Sequence, residues 1–295
     1  KGGDDRVCDV VKAVYQSLVP EALRKNIGEF YTPEWLVEFI LDRTGYTGDS
    51  VLGNRLLDPC CGSGNFLIHA IARHKEAARR NGTASAAIAN TILQSIVGFD
   101  LNPLAVIAAR LNYLLAIADV LPPTGHIEVP VYLADAIYAP VSRKQNGEAV
   151  RVYDISTAIG KIEIELPERL IRAKRTFSQV LSVMERDIEN HETVTGFLAN
   201  IRQLPRLDAL LSAHPGWVGY LGRMYESVLE MERHNWNRIW CRIVRNYFAS
   251  VAVGQVDMVV GNPPWVRWSE LPEDYRERIK PTCRQYAIFS RTPFF

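Results

Sequence analysis

The sequence predicts an α/β fold: an open parallel sheet with helices on both faces, plus a mainly α-helical insertion. Three observations predict it. Short runs rich in Val, Ile and Leu alternate with segments of helical periodicity through the first half, the order that builds parallel strands joined by right-handed crossovers. Each of those runs closes on an aspartate followed by a turn signal, at Asp58, Asp100 and Asp135. Between Pro140 and Ser250 the alternation lapses, and then one more strand pattern returns at Val256 to Val260.

Each element has its local reason. Asp9 to Leu23 reads as a helix, with Val10, Val14 and Leu18 four apart. In Gly28-Glu29-Phe30-Tyr31-Thr32-Pro33, Thr32 is a good N-cap and Pro33 a good first helical residue; that helix carries Trp35, Leu36, Phe39 and Ile40 and stops near Gly45. Arg55 to Asp58 reads as a short buried strand. A tight turn over Cys60-Cys61-Gly62-Ser63-Gly64-Asn65 leads into a helix from Phe66 to Arg80, with Gly82 as its stop. Ser95 to Asp100 is the next strand. Asn102-Pro103 again pairs an N-cap with a helical proline, opening a helix to about Val120, and Val129 to Leu133 is a third strand. In the insertion, Leu166 to Asn190 and Tyr220 to Phe248 read as long amphipathic helices, with little β signal beside them.

Composition bounds the rest. With 47% hydrophobic and 23% charged residues, the chain has ample apolar material for a core, which argues against disorder. A length of 295 residues suggests about two domains, or one with a large insertion. The most apolar stretch, Leu104 to Ala118, is broken by Arg110 and Asn112, so no membrane span is expected. The chain opens Lys-Gly-Gly-Asp-Asp and stops at Phe294-Phe295, which reads as a piece of something longer. Five cysteines without a CxxC pair suggest a reducing cytoplasm, and no metal site is expected; His69 and His74 read as helix decoration. The net charge of +1 hides an asymmetry, −3 over residues 1–140 and +4 over 141–295. Arg233, Arg238, Arg242 and Arg245, then Arg267, Arg276, Arg278, Lys280, Arg284 and Arg291, suit either phosphate contact or a solvated helix face.

Three constellations carry chemistry. The glycine turn Asp58-Pro59-Cys60-Cys61-Gly62-Ser63-Gly64 lets a ligand lie against bare backbone at a helix start. It is no phosphate loop, since no Gly-Lys-Ser/Thr follows, and no dinucleotide fingerprint, since position 67 is Leu. Asp100, at the carboxyl end of its strand, can accept both hydroxyls of a ribose, and Asp58, Asp100 and Asp135 would share one crevice. Asn262-Pro263-Pro264-Trp265 makes a stiff turn with free carbonyls. The Asn262 amide oxygen, the Pro263 carbonyl and the flat face of Trp265 suit an exocyclic amine on an aromatic ring.

The ordered set Gly-Glu-Phe-Tyr-Thr-Pro (28–33), Leu-Leu-Asp-Pro-Cys-Cys-Gly-Ser-Gly-Asn-Phe (56–66), Val-Gly-Phe-Asp-Leu-Asn-Pro (97–103), Ala-Asp-Ala (134–136) and Gly-Asn-Pro-Pro-Trp (261–265) resembles the N6-adenine DNA methyltransferases that use S-adenosylmethionine. It is most similar to the large gamma-order enzymes of restriction–modification and phage-exclusion systems. The similarity covers residues 20–140 and 235–290. It implies a Rossmann-like methyltransferase sheet divided into a helical segment with a cofactor-contacting motif (1–50), a cofactor-binding α/β half (51–140), the helical insertion (141–250) and the start of a catalytic half (251–295). It also implies that Tyr31 and Thr32 belong to the cofactor site, with Thr32 at the methionine carboxylate. Asp58 would take the methionine amino group, Gly62 and Gly64 would give backbone clearance, Asp100 would hold the ribose and Asp135 would meet the cofactor's adenine amine. Asn262 and Pro263 would hold the N6 of a flipped-out target adenine, with Trp265 stacked on its ring. The implied partners are double-stranded DNA and other restriction or defence subunits, in the cytoplasm. Two alternatives stay open: the same chemistry on a protein glutamine or an RNA guanine amine, and a non-catalytic cofactor- and DNA-binding module.

Overall fold

The computed structural model describes residues 32–122, 127–138, 140–145, 147–157, 160–233 and 240–288. The helix expected over Asp9 to Leu23, and the motif residues through Tyr31, lie outside them. The chain divides into two units, Lys1–Tyr138 with Gln255–Phe295, and Ala139–Gly254.

The first unit is built on four parallel strands, β1 (Leu56–Asp58), β2 (Ile96–Asp100), β3 (Val131–Leu133) and β7 (Met258–Val259), in the order β3-β2-β1-β7. Apolar runs without alternation suit strands covered on both faces, and residues 96–99 are all buried. The helices of this unit are α1 (Glu34–Arg43), α2 (Ser50–Gly53), α3 (Asn65–Arg80), α4 (Ser85–Ser95), α5 (Pro103–Ile117) and, after β7, α13 (Glu273–Gln285). Phe66, Leu67, Ala70 and Ile71 of α3 sit in one core cluster with Val37 and Leu41 of α1, Ile88 and Ile92 of α4, and Tyr113 of α5. Tyr113 donates its buried hydroxyl to the carbonyls of Ile92 and Ile96, which reconciles a polar atom with that core.

Helix boundaries follow cap chemistry, with one correction. Asn102 accepts a hydrogen bond from the Leu104 N–H at 3.0 Å, with Pro103 as the first residue of α5. At the end of α1, Gly45 has φ +78°; its N–H and that of Tyr46 bond back to Asp42 and Leu41, closing the last carbonyls. At the start of α1 the expected Thr32 cap is not formed. Pro33 is the N-cap, held extended at ψ 146°, and the buried Thr32 instead gives its carbonyl to Asn65 Nδ2 at 2.7 Å. Helix α4 went unread, because Ala- and Ser-rich sequence carries only a weak apolar stripe.

Helix α5 and the short 3₁₀ turn after it, Pro103 to Val120, are long and apolar enough to cross a membrane by composition. Here they serve the core. Ala105, Ala109, Tyr113 and Ile117 are buried, and the two polar interruptions are used, Arg110 Nε on the Val131 carbonyl (2.8 Å) and Asn112 Nδ2 on the Ser63 carbonyl (2.9 Å).

The second unit corrects the expectation of little β signal after Pro140. It begins with an antiparallel sheet, β4 (Val141–Gln145), β5 (Glu148–Thr157) and β6 (Gly160–Pro167), in that order. The signal was there in Lys161-Ile162-Glu163-Ile164-Glu165-Leu166, a strict period of two, with Ile164 and Leu166 buried. The expected helix from Leu166 is therefore strand to Pro167; helix resumes as α6 (Glu168–Arg172) and α7 (Lys174–Glu189), broken at Ala173. The helices α8 (Val194–Arg202), α9 (Pro205–Ala213), α10 (Trp217–Arg233), α11 (Trp240–Tyr247) and α12 (Ala249–Val253) follow. Helix α10 packs on β6 and is pinned to the sheet by Trp217 Nε1 on Glu148 (2.8 Å) and by the Tyr220 hydroxyl on Gln145 (2.7 Å).

One glycine is required by packing alone. A Cβ on Gly98, mid-strand in β2, would stand 2.7 Å from Leu67 Cδ1 and 3.0 Å from Cys61 Sγ, both buried. Gly98→Ala is expected to destabilise the fold by about 1–3 kcal/mol, and Leu67→Ala to offset part of that in the double variant; denaturant unfolding of the cycle reads the non-additivity.

Candidate functional site

Strand order places the site. Connections run outward from β1 to β2 to β3, and the chain then returns to the other side of β1 as β7. In an open parallel sheet, the crevice beyond the carboxyl ends at such a reversal is where ligands bind. The loop leaving β1 is the glycine turn, and the loop leaving β7 is Gly261-Asn262-Pro263-Pro264-Trp265.

The two loops touch. A Cβ on Gly261 would lie 2.6 Å from Asp58 Oδ1 and 3.4 Å from Pro59 Cδ. Residue 261 must be glycine because the backbone of one loop rests on the carboxylate of the other.

Asp58 is 1% exposed and accepts the Cys60 N–H at 3.1 Å. Burial pushes its carboxyl up to about 8; the negative charge of Asp100 adds to this and the Cys60 N–H opposes it. Asp100 closes the turn from the next strand, Oδ2 accepting from the Gly62 N–H and Oδ1 from the Asn102 N–H, each at 2.8 Å. The Asp100 carbonyl takes the Ala134 N–H at 3.0 Å, which sets Asp135 beside it. Asp135 Oδ1 accepts from the N–H groups of Ile137 (2.8 Å) and Tyr138 (3.0 Å), and Oδ2 from the Tyr275 hydroxyl (3.0 Å).

All three carboxylates act on one atom between them. Burial, then Asp58, Asp100 and Asp135 together, push the Cys60 thiol up to about 12. Cys60 therefore stays a neutral thiol and is no nucleophile near neutral pH. The buried Cys61 is raised too, by burial first.

The glycines divide their roles. Gly62, φ +54°, faces open space where a side chain would stand, whereas a Cβ on Gly64, φ +92°, would stand 3.3 Å from Ala109 Cα of α5. Acidic groups around an open glycine edge fit a ligand with cationic groups, ribose hydroxyls and an exocyclic amine. S-adenosylmethionine has all three, so the donor set fits that cofactor. Among the described residues, no cluster of three or more His, Cys, Asp or Glu is arranged to hold a metal ion.

In the second loop, Trp265 is 76% exposed and its indole Nε1 donates to Asn262 Oδ1 at 3.1 Å. The acceptor proposed for a target amine is thus engaged by an N–H of its own loop. Tyr31 lies outside the described residues, and Thr32 is held beside the turn through Asn65. Sequence reasoning missed Asn65, Asn112 and Tyr275. Asn65 stood inside a quoted motif, and Tyr275 had no local signal. Of the histidines, His69 pairs with Glu38, and the buried His74 meets Thr91 Oγ1 at 3.0 Å. Some of the basic residues are spent internally, as Arg278 over the Tyr138 ring and Lys280 on Glu277 show.

Part of the chain is similar in sequence to known proteins. Residues 5–130 are similar to the N-6 DNA Methylase family. The chain is 36% identical over 131 residues to the adenine-specific methyltransferase PglX of Streptomyces coelicolor, covering 41% of this chain and 11% of that protein. It is 42% identical over 81 residues to the type II methyltransferase M.PaeR7I of Pseudomonas aeruginosa, covering 26% and 14%. It is 32% identical over 108 residues to the methylase subunit of the type I restriction enzyme EcoEI of Escherichia coli, covering 37% and 19%. The matched stretch therefore spans less than a fifth of each of these relatives. The family match ends before Asp135 and before the loop at 261–265.

The state of Asp58 has a measurable consequence. Its folded value of about 8 lies above the ordinary 3.8, so the folded chain binds the extra proton. This contribution is complete below about pH 4 and is lost as pH rises through about 8. Asp58→Asn keeps an oxygen for the Cys60 N–H and removes the ionisation. Thermal midpoints of the ligand-free protein are expected to fall less steeply from about pH 6 to pH 9 in the variant than in the wild type.

Proposed function

We propose that this chain is the donor- and target-binding part of a site-specific DNA methyltransferase. It would carry a methyl group from S-adenosylmethionine to N6 of a flipped-out adenine, in a restriction–modification or phage-defence setting in the cytoplasm. The observation that carries the reading is the contact of Gly261 with Asp58, which seats the Asn-Pro-Pro-Trp loop directly on the glycine turn.

The chain's own groups have clear tasks in this reading. Asp58 receives the ammonium of the methionine moiety, whose charge favours the ionised carboxylate that burial otherwise resists. Asp100 takes the ribose hydroxyls and Asp135 the adenine amine, while Gly62 leaves room for the ligand's passage; Gly64 sets the turn, and Tyr31 and Thr32 complete the methionine end. When bound, the cofactor supplies a methyl carbon activated by a positively charged sulfur. Asn262 Oδ1 and the Pro263 carbonyl accept the two hydrogens of the target amine. That frees the nitrogen lone pair from the ring and stabilises positive charge as it develops. The Trp265 indole N–H now on Asn262 stands in for one of those hydrogens, and the amine displaces it. The freed indole face then stacks on the extruded base, worth about 1–3 kcal/mol against the cost of unstacking. Holding both reactants in one crevice can supply roughly 7–11 kcal/mol of the barrier. No cysteine or histidine is needed, in keeping with the neutral Cys60 thiol.

The partners follow from the same reading: double-stranded DNA, and further restriction or defence subunits, since one relative is itself a methylase subunit. The test is a methylation assay on the full-length protein with DNA, RNA and protein offered side by side. N6-methyladenine in DNA is expected, and label confined to RNA guanine or protein glutamine would overturn the reading. Asn262→Ala is expected to retain cofactor affinity and lose methyl transfer by at least about a hundredfold, the scale of losing one preorganised transition-state partner. Asp100→Ala is expected to weaken cofactor binding first, measured by calorimetry; an unchanged dissociation constant would remove Asp100 from the site.

A further inference from the structure

Asp135 is held from a place its own strand does not supply. Its Oδ1 accepts two backbone N–H groups from the turn that follows β3, which uses both lone pairs of that oxygen. Oδ2 accepts the hydroxyl of Tyr275, 140 positions along the chain on helix α13, at 3.0 Å. Three residues on, Arg278 lays its guanidinium over the ring of Tyr138, 4.1 Å from the centroid, in the turn that Asp135 caps. Tyr275 and Arg278 lie on one face of α13, at i and i+3. That helix thus grips the 135–138 turn at two points.

We infer that Tyr275 is a positioning residue for Asp135, fixing the rotation of its carboxylate so that the remaining lone pair of Oδ2 meets the 6-amino group of the bound nucleoside. The inference rests on the reading of Asp135 given above. Without the phenol, only Oδ1 is tethered and Oδ2 can swing about the Cβ–Cγ bond. With it, one acceptor direction is left for a ligand. A phenol suits this task, since it has a single hydrogen to give. Burial, with the adjacent carboxylate adding, raises its pKa, so the phenol keeps its hydrogen and remains a donor. The arrangement has a second consequence. Helix α13 follows the Asn-Pro-Pro-Trp loop in the chain, so the segment that would hold the target base is anchored downstream to the turn that would read the donor.

The test uses the full-length protein and two ligands in calorimetry: S-adenosylhomocysteine, and its analogue with hydrogen in place of the 6-amino group. Tyr275→Phe, which keeps the ring and removes the donor, is expected to weaken S-adenosylhomocysteine by about five- to tenfold, the worth of one hydrogen bond, and to leave the analogue within about twofold. Equal weakening of both ligands makes the phenol a packing element and overturns the proposal. No change with either ligand, while Asp135→Ala still weakens the amino ligand alone, also overturns it and leaves the Asp135 reading standing. Should Asp135→Ala leave both ligands unaffected, the underlying reading fails and the inference with it.

Discussion

Asp58 is a carboxylate with almost no access to water, at the end of the strand from which the sheet spreads in both directions. Leaving such a group charged in a buried site is costly, so burial favours its protonated form. The surrounding backbone is shaped to this one side chain. The Cys60 N–H meets it from its own turn, and Gly261 from the neighbouring strand's loop lies against it with no side chain between. Both halves of the proposed chemistry therefore share a wall, and the wall is a buried acid.

The rest of the crevice continues the same electrostatics. Asp100 and Asp135 end successive parallel strands, and each is secured chiefly by backbone N–H donors in the contacts described above. Donors that are backbone amides fix the carboxylates without neutralising them, so the crevice retains an acidic field. Burial first, and then the neighbouring carboxylates, keep Cys60 a neutral thiol. A thiolate among three carboxylates would be strongly disfavoured.

The second unit shows a different economy. Its antiparallel sheet buries apolar residues on both faces: the register sets Ile164 and Leu166 opposite Tyr153 and Arg151, and Val150 and Val152 on the other face opposite Pro167 and Glu165. The expectation of little β signal passed over them because the two-residue alternation that decides the matter is short, and the helix expected from Leu166 overran only the end of β6. Tertiary pairing across β5 and β6 resolved a local ambiguity that propensity alone left open.

Much was legible in the order of residues. Strand, glycine turn and helix followed from buried apolar runs, positive-φ positions and caps, all of them local physics. The Asn102-Pro103 helix start and the Gly45 stop needed only their neighbours. The three strand-end aspartates could be assigned to one edge because parallel strands point the same way. What sequence could not contain is distance between segments far apart in the chain. That residue 261 must lack a side chain to fit against Asp58, that Trp265 turns its N–H onto Asn262, and that a tyrosine 140 positions away holds Asp135 are facts of packing. Local order dictates which groups face the sheet's edge; only the close approach of chain segments with no sequence proximity decides which of them touch.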